Sequence, residues 1–314
     1  MARMKIGVIG GGFVGSTTAQ RIAEKQLGDV VLFDIVDGMP QGKALDLAQA
    51  ASVYGYDSSV TGANDYGPLE GAKVVVITAG MPRKPGMDRS DLLKVNGKIM
   101  QEVAGSVQEV APDATLVVVS NPLDVMCYVA HLVSGLPRKK VVGMAGVLDT
   151  ARYRAFIAEE LGVSVKDVQA MVLGGHGDSM VPLTATASVS GIPVSDLIPA
   201  ERLEELVTRT RHGGAEIVQL LKTGSAYYAP SAAATAMVES IVLDQRRILP
   251  CCTLLDGEYG IDGTWVGVPV VLGSGGVEEV IELDLGAADR EALRASAQAV
   301  RSGQDEVSAM LGLS

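Results

Sequence analysis

Five nearly unbroken apolar runs of strand length punctuate the first half of the chain: Lys5–Ile9, Val30–Phe33, Lys73–Thr78, Thr115–Val119 and Lys140–Met144. A strand that covers a core on one face alternates apolar and polar residues; a continuous run needs cover on both faces. Helical-period segments at Phe13–Leu27, Ser90–Val110 and Leu123–Val133 lie between most of the runs and supply that cover. The pattern predicts βαβ units in an α/β fold with a doubly wound parallel sheet.

From about residue 149 the rhythm changes. A helix at Asp149–Leu161 leads to a strand at Val168–Leu173, short runs at Leu183–Val189 and Ile192–Val194, and helices at Ala200–Leu221 and Ser231–Asp244. Strand-like segments at Ile248–Leu255, Thr264–Leu272 and Val277–Leu283 and a last helix from Ala287 complete an α+β region. We divide the chain into domains 1–145 and 146–314. The boundary has no flexible linker, which predicts two tightly packed domains with a cleft between them.

Composition narrows the function classes. Aromatic residues are 4% of the chain, so the core must be built from Val, Leu, Ile, Ala and Met. The formal charge is −11, and the cations are scattered except at Arg138-Lys139-Lys140 and Arg246-Arg247. Without a basic stripe, nucleic acid and anionic membrane are poor partners. No apolar stretch is long enough to span a bilayer, and the N-terminus lacks a cleavable leader pattern, so a soluble cytoplasmic protein is expected. Cys127, Cys251 and Cys252 cannot form a disulfide framework and read as buried thiols of a reducing compartment. No Cys or His pair has ligand spacing, so no metal is expected.

Glycine is over-represented, at 37 of 314 residues. Gly10-Gly11-Gly12-Phe13-Val14-Gly15 fits G-x-G-x-x-G, and it follows a strand and opens a helix. In that context each glycine of the motif has its own role, with Gly10 making a tight turn, Gly12 allowing close approach of a pyrophosphate and Gly15 letting helix and strand pack. The helix N-terminus would hold the phosphates. Asp34 ends the next strand and would accept bonds from the adenosine ribose while repelling a 2′-phosphate, so NAD is expected over NADP. A second cluster, Gly273-Ser274-Gly275-Gly276, has Glu278 where the third glycine belongs and reads as a hairpin turn.

Two further segments carry chemistry. The loop Gly80–Ser90 holds Arg83, Lys84 and Arg89 among two prolines and two glycines, the make-up of a lid that brings positive charge to an anion. His176 lies in Gly174-Gly175-His176-Gly177-Asp178, where glycines leave the ring exposed to whatever fills the cleft. The other histidines, His131 and His212, fall in helical segments and read as ordinary core or surface residues. Asp149 and Arg152 stand three apart at a helix start and share one face.

At these residues the chain resembles the lactate/malate dehydrogenase family over nearly its whole length. The resemblance rests on the glycine motif with Asp34, the loop around Arg83 and Arg89, and Ser120-Asn121-Pro122-Leu123-Asp124. It also rests on Leu148-Asp149-Thr150-Ala151-Arg152 and Gly175-His176-Gly177-Asp178. It implies a Rossmann-type NAD-binding domain, a catalytic domain after it, and a homo-oligomer, with a tetramer favoured over a dimer. It implies His176 as general acid/base, Asp149 as its orienting partner, and Arg89 polarising the reacting carbonyl. Arg152 would grip the carboxylate beside the reacting carbon. Asn121 would hydrogen-bond substrate near the nicotinamide, Asn96, Val119 and Ser120 would line the cofactor side, and Ser225 would stand at the far wall. Arg83 would set the substrate: a cation closed into a dry pocket needs a second carboxylate, which selects a four-carbon dicarboxylate such as malate over pyruvate. Gly11, where alanine is common in the family, is expected to be sterically neutral. Two rival readings are a lactate or other 2-hydroxy-acid dehydrogenase, against which Arg83 argues, and a non-catalytic NAD sensor, against which His176, Asp149, Arg152 and Arg89 argue together.

Overall fold

The computed structural model describes residues 3–82 and 89–313, Arg89 by its backbone alone. The first half runs β1 (Lys5–Ile9), α1 (Phe13–Glu24), β2 (Asp29–Phe33), α2 (Met39–Tyr54), β3 (Val60–Ala63) and β4 (Val74–Ile77). It continues through α3 (Arg89–Val110), β5 (Thr115–Val118), α4 (Leu123–Ser134) and β6 (Val141–Gly143). All six strands are parallel, in the spatial order β3-β2-β1-β4-β5-β6. That is the doubly wound arrangement predicted from the apolar runs, with strand order reversing between β1 and β4. The runs are continuous because both faces are covered: Val74, Val75, Val76 and Ile77 are all fully buried. Each such side chain contributes about 1.5–3 kcal/mol relative to exposure.

The second half begins without a linker. Met144 separates β6 from α5 (Ala145–Leu161). Four short strands follow, β7 (Val168–Gln169), β8 (Val172–Leu173), β9 (Val181–Pro182) and β10 (Ser188–Val189), then β11 (Ile192–Pro193) and the turn of helix α6 (Val194–Leu197). Helices α7 (Ala200–Leu221) and α8 (Tyr228–Val242) lead to β12 (Arg247–Asp256), β13 (Asp262–Gly273), β14 (Gly276–Val280) and α9 (Ala287–Leu311). The last three strands are antiparallel and join the parallel sheet where Cys252 pairs with Gly143. One nine-stranded sheet therefore runs through both halves among the described residues.

Several expectations need correction. Helix α2 and strand β3 leave no periodic signal in the sequence. Only Pro40 and Ala44 are buried along α2, so it lacks the apolar stripe that betrays a helix, and edge strand β3 buries only Ala63. Helix α5 starts at Ala145, a full turn before the expected Asp149, which puts Asp149 in its second turn and not at its end. Residues 145–148 are apolar enough to read as more strand. The expected strand Val168–Leu173 is two strands, β7 pairing with β10 and β8 with β9. Gly273–Gly276 is a hairpin turn between β13 and β14, as its missing third glycine predicted.

Two packings position the site. Helix α8 lies on α1, tied by Ser231 Oγ donating to Val14 O at 3.1 Å and by the Lys25–Glu239 ion pair at 2.6 Å. Helix α9 covers α3 and α4, with Tyr128 and Ser308 hydroxyls 2.7 Å apart. Two helices of the C-terminal half, α8 and α9, thus clamp the nucleotide half.

Candidate active site

The glycine turn between β1 and α1 shows in its contacts why each glycine is there. Gly10 has φ +100°, and a Cβ on it would stand 2.7 Å from Thr78 Oγ1. A Cβ on Gly15 would fall 1.7 Å from Gly10 O, which no relaxation accommodates. Gly12 has nothing within 4 Å of where a Cβ would point, so its backbone faces open space at the helix N-terminus. These are features a pyrophosphate requires: a tight turn, a helix N-terminus and no side chain in the way. Asp34 accepts the Gly11 amide on Oδ2 at 2.6 Å and the Val36 amide on Oδ1 at 3.0 Å, so its carboxylate is oriented before any ribose arrives. Gly11 is less neutral than expected, since an added Cβ would stand 2.8 Å from Met39 Sδ. Alanine there requires the Met39 thioether to move.

Phe13 is 70% exposed and stacks on Tyr227 at 5.1 Å between centroids, while Val14 anchors α8 through its carbonyl. Lys43 was missed in the sequence because α2 was. Its Nζ donates to Gly11 O at 2.5 Å and lies 6.0 Å from the Phe13 ring centroid, which adds a cation beside the phosphate-binding turn.

Asn96 is buried, and its amide is spent inside the protein: Oδ1 accepts Met81 N at 2.8 Å, and Nδ2 donates to Met81 O and Asn121 O. Ser120 is buried and donates to Ala79 O at 2.5 Å. These two side chains brace the loops after β4 and β5, and Val119, just past β5, is buried with its amide donating to Ile77 O at 2.9 Å. Asn121, the residue they brace, is exposed and precedes a cis peptide to Pro122. The loop's Arg83 and Lys84 lie outside the described residues, as does the Arg89 side chain; the backbone of Arg89 opens α3. Ser225 is exposed in the connection between α7 and α8.

His176, Asp149 and Arg152 come together. Asp149 Oδ2 lies 2.8 Å from His176 Nδ1, and its Oδ1 accepts Arg152 Nη1 at 3.0 Å. Asp149 is 2% exposed, so the carboxylate that bridges the two cations is shut away from water. Burial alone would lower the His176 pKa. The charge and hydrogen bond of Asp149, with the charge of Asp124, outweigh it and raise the imidazole above its ordinary value. With Nδ1 committed to Asp149, Nε2 is the nitrogen left for chemistry. Arg152 Nε is buried and has no acceptor among the described residues.

The room for that guanidinium comes from Gly213 and Gly214, which were not singled out in the sequence. A Cβ on Gly213 would stand 3.1 Å from Arg152 Cδ, and one on Gly214 3.4 Å from Nη2. Two adjacent glycines inside the helical pattern of α7, each costing about 1 kcal/mol against alanine, were the available signal. His131 and His212 stay apart from this cluster: His131 lies tilted against Trp265 with ring centroids 5.5 Å apart, and His212 is exposed on α7. Cys127, Cys251 and Cys252 are buried and free.

Comparison with known proteins agrees with this geometry. A family model described as the lactate/malate dehydrogenase NAD-binding domain matches residues 4–143, and the same family's alpha/beta C-terminal domain matches residues 146–310. The chain is 56% identical to a malate dehydrogenase of Roseiflexus castenholzii over 96% of this chain and 97% of that one. It is 57% identical to one from Desulforudis audaxviator, again over 96% and 97%. Among solved structures, malate dehydrogenase from Salinibacter ruber superposes with a TM-score of 0.94 at 53% identity, over 98% of both chains. A lactate dehydrogenase of Cryptosporidium parvum, complexed with lactic acid and nicotinamide adenine dinucleotide, gives 0.95 at 44%, also over 98% of both. An NAD-binding turn, a buried His–Asp–Arg cluster and two matching domains leave one assignment: the chain belongs to the lactate/malate dehydrogenase family.

Proposed function

We propose that the chain catalyses the reversible NAD-dependent oxidation of (S)-malate to oxaloacetate, the chemistry of the tricarboxylic acid cycle. Residues 1–145 hold the dinucleotide and 146–314 supply the catalytic and substrate groups. The observation that carries this reading is Asp149 shared between His176 Nδ1 at 2.8 Å and Arg152 Nη1 at 3.0 Å. Such an arrangement orients a proton-transfer group and an anion-binding group against each other from one helix.

NAD, when bound, supplies the hydride acceptor in one direction and the donor, as NADH, in the other. Gly10 to Gly15 and Asp34 hold it, with Asn96 and Ser120 keeping Val119 and Asn121 in place beside it. In malate oxidation, neutral His176 takes the hydroxyl proton at Nε2 and Asp149 stabilises the imidazolium that results. In oxaloacetate reduction, the imidazolium returns that proton to the carbonyl oxygen. Arg152, with Nη1 on Asp149 and Nε lacking an acceptor, has donors to offer the carboxylate next to the reacting carbon. Arg89 polarises the carbonyl as charge develops, Asn121 hydrogen-bonds the substrate, and Ser225 closes the far wall.

The lactate reading has a specific observation behind it, since lactate dehydrogenases are among the structural neighbours at 44% identity. The relatives at 56% and 57% identity are malate dehydrogenases, and one loop residue supplies the physical reason for that preference. Arg83 requires a second carboxylate, and pyruvate has none. The protein acts as a cytoplasmic homo-oligomer, a tetramer by the character of its sequence. An NADH oxidation assay comparing oxaloacetate, pyruvate and 2-oxoisocaproate, repeated with NADPH, tests the reading. Turnover of pyruvate equal to that of oxaloacetate would overturn it.

A further inference from the structure

The turn that carries His176 is rich in glycine and so has little conformational preference of its own; what places the ring must come from outside it. Three successive amides of the turn are each held by a different element. Gly174 N donates to Gly267 O of β13 at 2.8 Å. Gly175 N donates to Ser296 Oγ of α9 at 2.8 Å. His176 N donates to Asp124 Oδ2 of α4 at 2.8 Å. A neutral acceptor suffices for the first two. The third, on the residue whose ring does the chemistry, is a carboxylate.

Asp124 is 6% exposed, and its Oδ1 has no hydrogen-bond partner among the described residues. Its polar neighbour is the Cys252 thiol of β12, a weak donor. Burial pushes the Asp124 carboxyl above the ordinary carboxylate range, and the His176 amide and ring charge offset only part of that rise. A buried carboxylate with one oxygen unpaired is costly, and an asparagine would hold the same amide without that cost.

The charges around the ring give the carboxylate a purpose. Asp149 and Arg152 face His176 from α5, and their opposite charges cancel in the ion pair they form at 3.0 Å. Ser296 of α9 and Gly267 of β13 bring no charge, and Asp178 further along the turn is exposed. Among the described residues, Asp124 of α4 therefore leaves the buried surroundings of the ring one negative charge in excess, which a protonated imidazole balances.

We propose that Asp124 is a positioning residue for the reaction: it holds the His176 amide to place the ring, and its charge favours the imidazolium that delivers the proton. The inference rests on the reading of His176 as the proton carrier. Asp124→Asn keeps an acceptor oxygen and removes the charge, whereas Asp124→Ala removes both. The readouts are the pH titration of the His176 ring by NMR, kcat and KM for oxaloacetate across pH, and NADH affinity by fluorescence.

In Asp124→Asn the ring should titrate lower by about half a pH unit or more, and the alkaline limb of oxaloacetate reduction should move with it. NADH affinity should stay within about twofold, which a general loosening of the fold would not allow. Asp124→Ala should lower kcat a further tenfold or so at the optimum pH. An unchanged ring titration in Asp124→Asn overturns the charge role, and an unchanged kcat in Asp124→Ala overturns the positioning role. Should Asp124→Ala not fold, the Asp124→Asn titration decides alone. That titration needs no substrate, so a wrong substrate assignment silences the parent's oxaloacetate assay and still leaves Asp124 judged.

Discussion

The nucleotide turn and the His176 cluster are built on opposite plans. Gly10 to Gly15 and Asp34 lie within 25 consecutive residues, on two adjacent parallel strands and the helix between them. His176 instead takes Asp149 from α5, Asp124 from α4 and the turn's clamps from β13 and α9. A site made from one βαβ unit uses backbone amides and the absence of side chains. A site made from five elements uses side-chain charges at fixed distances, and every element that moves changes the chemistry. The first plan suits a cofactor with a constant shape, the second a proton whose affinity must be tuned.

Substitutions can break this contrast in order of expected effect. His176→Asn should lower turnover by about 10²–10⁴-fold while NADH affinity, measured by fluorescence, stays unchanged. Unchanged turnover would remove the acid/base role. Arg83→Gln should lower kcat/KM for oxaloacetate and raise that for pyruvate relative to it, an exchange of at least about 10²-fold in the ratio. Equal losses on both substrates would separate Arg83 from specificity.

The pH profile is the next test of the tuned site. The imidazole is raised, so oxaloacetate reduction, which needs the protonated ring, should hold above pH 6.5 and fall only through the raised value. Asp149→Asn should bring that fall to lower pH. The same sign governs stability: a raised imidazole contributes fully below about pH 6.5, and the contribution is lost as pH rises through the folded value. Thermal unfolding of the parent and of His176→Asn across this range measures it.

Gly15→Ala probes the other plan. With a Cβ 1.7 Å from Gly10 O, the turn must open, at about 1–3 kcal/mol or more in unfolding free energy and with weaker NADH binding. The smallest effect is expected at Gly213→Ala. Helix propensity gains about 1 kcal/mol, against a Cβ 3.1 Å from Arg152 Cδ. Stability should hold or rise while KM for oxaloacetate increases a few-fold, by about 0.5–1 kcal/mol of lost carboxylate binding. An unchanged KM would mean that Arg152 has slack.

The parallel sheet was legible because its strands are buried on both faces, so Val74–Ile77 and Thr115–Val118 leave continuous apolar runs in the sequence. Helix α2 is not legible in the sequence, since Pro40 and Ala44 are its only buried residues, and Lys43 is lost with it. Asp149 was visible as a residue but placed at a helix end, because the apolar turn Ala145–Leu148 before it resembles strand. Asn96 and Ser120 are visible in the sequence as site residues, and only the structure shows that their polar groups are bonded to the backbone of the loops after β4 and β5.

What the sequence determined by itself was the alternation of strands and helices, the glycine turn with Asp34, and the chemical identity of His176, Asp149, Arg152 and Arg83. These follow from residue type and local spacing, which short-range sterics and periodicity translate directly into structure. Only the tertiary structure decided that Asp149 is shared between a histidine and an arginine, that Gly213 and Gly214 make room for that arginine, and that Asp124 lies behind the ring. Those are distances between segments far apart in the chain. Charge interactions in a buried site depend on such distances, and no local pattern encodes them.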